Sequence, residues 1–169
     1  DAVTSYSKAL DLKPDHAEAR NNLGAALQGL GKLEEAAASF EKALAINPNF
    51  IEARFNLATL FHNLNRIEEA VASYRKALEL QPDYAKAHNN LGVALQEQNR
   101  FDEALCSYRK ALELQPDYAT AHNNIGLGLQ QLAMNPSLRN LPPVVLDPME
   151  EAIASYHKAL ALKPDDAET

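Results

Sequence analysis

Pro14, Pro48, Pro82 and Pro116 stand 34 residues apart, and Pro164 follows after a further 48. The fragment Ala-Leu-x-Leu-x-Pro-Asp travels with them, altered only by Ile46 and Asn49 in its second copy. A period near 34 marks an array whose unit is one supersecondary element. Such a unit cannot bury a core alone, so it must stack on its neighbours. The interval of 48 is one period plus an insertion of 14 residues.

Aligned on this period, the units run 17–50, 51–84, 85–118 and 119–166, beginning at Ala17, Ile51, Ala85 and Ala119. Residues 1–16 match the second half of a preceding unit, and residues 167–169 match the start of a further one. Each unit holds two helical patterns. In the first unit, Leu23, Gly24 and Leu27 mark a helix over about Ala17–Leu30. Leu33, Ala36, Phe40, Ala43 and Leu44 mark another over Leu33–Ile46. Gly31-Lys32 separates them, and Asn47-Pro48-Asn49 ends the second, because proline lacks the amide donor and restricts the residue before it. So short a break makes the pair an antiparallel hairpin.

Equivalent positions carry the packing. The eighth is Gly24, Ala58, Gly92 and Gly126, and the twentieth is Ala2, Ala36, Ala70, Ala104 and Ala152. Small residues there let the two helices approach closely. The twenty-fourth is Tyr6, Phe40, Tyr74, Tyr108 and Tyr156, an aromatic expected to fill the space between hairpins. Cys106 occupies the place of Ala38, Ala72 and Ala154 and is expected to be a small buried residue.

This register of small residue, aromatic, small residue and proline closely resembles the tetratricopeptide repeat. The fourth position, often Trp in that family, is Arg20, Arg54, His88 and His122, and the eleventh, often Tyr, is Leu27, Phe61, Leu95 and Leu129. These departures are expected to soften packing between repeats. The resemblance implies an all-α, right-handed superhelical solenoid of antiparallel helix hairpins, with the first helices lining a concave groove. It also implies a non-catalytic protein-interaction scaffold.

The groove positions implied by the family carry mostly neutral amides. Asn22, Asn56, Asn90 and Asn124 recur at the sixth position, joined by Asn89, Asn123, Gln96 and Gln130. An amide both donates and accepts, so a ladder of them suits the backbone of an extended peptide. The array of the O-linked N-acetylglucosamine transferases is similar in this respect. The other reading is that these asparagines bond a neighbouring helix or water. Phe55 is read either as an anchor for a partner side chain or as a packed core residue, with Val93 and Leu127 further along. A carboxylate clamp is disfavoured: Lys86 is the only basic residue at the second position, where Glu18 and Glu52 also stand.

The insertion falls at about Ala133–Leu146, ahead of a helix capped by Asp147 with Pro148 at its first position. Half of its residues are apolar, more than a disordered linker usually carries. It reads either as a tolerated edge loop or as a partner-docking loop through Leu141, Val144, Val145 and Leu146.

A net charge of -7 argues against a nucleic-acid surface. No apolar run is long enough to cross a bilayer. No phosphate loop, HExxH or paired-cysteine motif occurs. No catalytic site, metal or cofactor is therefore expected. One cysteine favours a reducing, cytoplasmic setting. The expected partner is a protein or peptide. Two other functions fit the pattern: a substrate-recruiting segment of a larger enzyme such as a glycosyltransferase, and a self-assembling module that pairs through uncapped array ends.

Overall fold

The computed structural model describes residues 2–135, 137 and 148–162. They form α1 (Ala2–Leu12), α2 (Ala17–Gly29), α3 (Leu33–Ile46), α4 (Ile51–Asn63), α5 (Ile67–Leu80), α6 (Ala85–Glu97), α7 (Phe101–Leu114), α8 (Ala119–Met134) and α9 (Pro148–Leu162). The chain divides into two compact units, Asp1–Pro82 and Asp83–Thr169. In the first, α1 packs on α2, α2 pairs with α3, α3 packs on α4, and α4 pairs with α5. In the second, α6 pairs with α7, α7 packs on α8, and α8 pairs with α9.

The tight turns have a common cause. Gly31 lies at φ 75°, and Asn65 and Asn99, one and two periods on, lie at φ 58°. This left-handed position ends a helix at little cost only for glycine or asparagine. It brings the amide of Lys32 to the carbonyl of Leu27 at 3.0 Å, Arg66 to Phe61 at 2.8 Å and Arg100 to Leu95 at 2.9 Å. These bonds satisfy helix carbonyls that would otherwise lack a partner. In the fourth hairpin α8 continues to Met134 instead, and its partner helix resumes at Pro148.

The turns between hairpins are tied by the fourth position. Arg54 Nη2 donates to the Pro48 carbonyl at 2.6 Å, Arg20 Nη2 to Pro14 at 3.4 Å, and His122 Nε2 to Pro116 at 3.0 Å. In these repeats the fourth-position side chain thus pins the preceding proline turn to the helix that follows it.

The core follows the small and aromatic positions. Ala36, Ala43, Ala70, Ala77, Ala104 and Ala111 are fully buried, with the rings of Phe40, Tyr74 and Tyr108 among them. Each ring lies against the first helix of its own hairpin. A Cβ added to Gly24 would meet Phe40 at 2.7 Å, one on Gly126 would meet Tyr156 at 2.7 Å, and one on Gly92 would press into Tyr108. At these three positions the ring occupies the volume a side chain would take, whereas Ala58 holds the same place in the hairpin of Tyr74. Cys106 differs from expectation: it is exposed, as are Ala38, Ala72 and Ala154. The twenty-second position points to solvent, and smallness there reflects helix propensity rather than burial.

Candidate partner-binding site

In the first unit, α2 and α4 lie side by side and a chain of amides crosses between them. Asn21 is 1% exposed and uses both ends of its carboxamide. Its Nδ2 donates to Glu52 Oε1 at 3.2 Å, and its Oδ1 accepts from Asn56 Nδ2 at 3.0 Å. Glu52 and Asn56 are one helical turn apart on α4, so a single buried residue of α2 ties both to it. Asn22, next in sequence, is exposed.

Phe55 is packed, not presented. It is 5% exposed and meets the Tyr74 ring at a centroid distance of 5.8 Å. The reading of Phe55 as an exposed anchor is thus replaced by a core contact, worth about 0.5–1.5 kcal/mol beyond burial for such ring pairs. Thr59 Oγ1 donates to the Phe55 carbonyl at 3.0 Å. Its single proton is then committed, so in the 3.1 Å contact with Tyr74 the phenol donates.

The second unit repeats the pattern with changes. Asn124 Nδ2 donates to Asn89 Oδ1 at 3.0 Å, and Asn89 Nδ2 to Asn90 Oδ1 at 3.3 Å. Asn89 is 3% exposed, so it supports the face from beneath and does not line it. Thr120 stands where the first unit has Glu52. Gln96 Oε1 accepts from the Tyr108 phenol at 3.1 Å and Gln130 Oε1 from Tyr156 at 3.0 Å. Both glutamines therefore keep their amide nitrogens for other partners. Burial, and then the nearby Glu97 carboxylate, push the Tyr108 phenol well above its ordinary range; burial alone raises Tyr156. Asn123 is exposed, Asn90 and Asn124 are half-buried, and Leu127 is an exposed apolar side chain on the same helix.

The expected ladder of Asn22, Asn56, Asn90 and Asn124 takes a different form. Within each unit the sixth-position asparagine bonds the fifth-position asparagine of the preceding repeat, 35 residues earlier. Asn21 and Glu52 are not among the site residues read from the sequence. The doublets Asn21-Asn22, Asn89-Asn90 and Asn123-Asn124 were the available signal. Leu141, Val144, Val145 and Leu146 lie outside the described residues. At α9, Ile153 is 50% exposed, although Ala37, Val71 and Leu105 at the same repeat position are buried.

No helix among the described residues is long and apolar enough to cross a membrane. Family models described as TPR repeat or tetratricopeptide repeat match residues 1–31 and 59–99, 17–50 and 85–118, and 39–72. A search of curated proteins returns no match. Among solved structures the chain is similar to MamA, at 23% identity and a TM-score of 0.81 over 99% of this chain and 90% of that one. A MamA fragment from Desulfovibrio magneticus RS-1 gives 18% identity and a TM-score of 0.81, over 99% and 86% of the two chains. MamA of strain MSR-1 gives 25% identity and a TM-score of 0.76, over 98% and 87%. The repeat matches, which together run over residues 1–118, show that this chain belongs to the tetratricopeptide-repeat family.

Proposed function

We propose that the chain is a non-catalytic protein-interaction scaffold that binds an extended peptide segment on the amide-bearing faces of its first helices. The observation that carries this reading is the bonding of the asparagines. Asn21 and Asn89 are buried and anchor Asn56 and Asn124 from below, which presents the sixth-position amides at a set height. A pre-positioned amide loses less freedom on binding than a mobile one. Asn22, Asn56, Asn90 and Asn124, with Asn123, Gln96 and Gln130, supply donors and acceptors that pair with backbone whatever the partner's side chains. The test is a pull-down with wild type against a variant carrying alanine at Asn22, Asn56, Asn90 and Asn124, shown folded by circular dichroism. A partner lost only in the variant supports the reading. A partner retained equally moves the site off these faces.

One observation favours a second reading, self-association through α9. Ile153, Met149 and Leu160 are exposed there at helical spacing. Light scattering over a concentration series tests it, and a constant monomer mass would refute it.

A further inference from the structure

The amide chain of the first unit has a direction, and one residue sets it. A carboxylate only accepts hydrogen bonds, whereas a carboxamide can turn either its oxygen or its nitrogen to a neighbour. Glu52 Oε1 lies 3.2 Å from Asn21, so the Asn21 nitrogen must face it. The Asn21 oxygen is then left for Asn56, and Asn56 must offer its nitrogen, at 3.0 Å. Asn56 is half-buried, and its Oδ1 is the amide atom left facing away from Asn21. In the second unit the corresponding chain ends on the amide of Asn90, not on a carboxylate, since Thr120 replaces the glutamate.

We propose that Glu52 is a positioning and specificity-determining residue: acting through buried Asn21, it holds the Asn56 carboxamide with its oxygen outward, to accept a backbone N–H of a bound peptide. This rests on the peptide-binding reading above and deepens it. The first unit thereby recognises a donor at this point. An acceptor placed there, such as a peptide carbonyl, meets oxygen against oxygen and is rejected.

Glu52→Gln tests the assignment, because glutamine keeps the length and one acceptor yet also offers a donor, so the chain can run both ways. The first measurement needs no ligand: NMR of the side-chain amide groups of Asn21 and Asn56 in the whole protein. The expected result in wild type is one pair of Asn56 amide protons, one displaced by its bond to Asn21. In Glu52→Gln the displaced signal moves toward the free position. An unchanged Asn56 signal in the variant would overturn the proposal. The second measurement uses a peptide selected from a random display library on wild-type protein. Its Kd should rise about 2- to 10-fold in Glu52→Gln, the value of one hydrogen bond, with the thermal melt unmoved. Equal affinity for both proteins overturns the role of Glu52 and leaves the binding reading standing. Failure to select any peptide counts against the binding reading, and the NMR result still decides Glu52.

Discussion

Replacing Asn21 with aspartate changes one nitrogen to oxygen and little else in volume. That nitrogen donates to Glu52 Oε1 at 3.2 Å, and Asn21 is 1% exposed. The substitution therefore sets two carboxylates against each other, one of them out of water. At this separation their repulsion is about 1.3 kcal/mol in bulk water and about 5 kcal/mol at an effective dielectric of about 20. Protonation limits the loss. Holding a carboxyl with a reference pKa near 3.9 neutral at about pH 7 costs about 4 kcal/mol, at about 1.36 kcal/mol per unit. The expected loss at about pH 7 is thus about 2–4 kcal/mol. The introduced carboxyl has a folded pKa raised above its unfolded value. The variant's stability is therefore nearly that of wild type below about pH 3.9 and is lost as pH rises through the raised folded pKa. Urea unfolding followed by circular dichroism from about pH 3.5 to about pH 7 measures the difference from wild type. Asn21→Ala serves as the reference, with a loss of about 1–3 kcal/mol for two bonds that varies little with pH. A deficit in the aspartate variant that is flat across this range would refute the reasoning, because it would mean that the two side chains do not share the geometry described.

Gly92→Val should cost about 1–3 kcal/mol or more by displacing the buried Tyr108 ring; denaturant unfolding measures it, and an added Tyr108→Ala should cost less than the sum of the two changes. Arg54→Met keeps the apolar stem but removes the bond to the Pro48 carbonyl, and a loss of about 1 kcal/mol is expected in the same assay. The Tyr108 phenol, raised chiefly by burial, contributes stability that is present below the unfolded value near 10 and lost as pH rises above it. Melts from about pH 9 to about pH 11 should show this loss in wild type and less of it in Tyr108→Phe. Asn22→Ala should leave the melting temperature within about 1 °C, as expected of an exposed side chain, while lowering the affinity of a selected peptide.

The repeat, the hairpins and the helix limits were legible in the sequence because they depend on local rules. Proline and left-handed Gly31, Asn65 and Asn99 punctuate the chain wherever they occur. The small and aromatic positions were readable as core, but not that Gly24 meets Phe40 and Gly92 meets Tyr108. The candidate site was legible only in composition. Asn21 and Asn22 are identical residues about 100° apart around one helix, at 3.6 residues per turn. One is sealed between α2 and α4 and the other meets water. That difference comes from a helix starting 30 residues further on, and no local pattern reports its position. Phe55 and Cys106 show the same limit in opposite senses, one buried against Tyr74 and the other turned to solvent. The direction of the amide chain is a further step removed. It depends on Glu52 reaching Asn21 across two helices, and only the packed structure decides which residues meet and therefore which atom of each amide is left to face a partner.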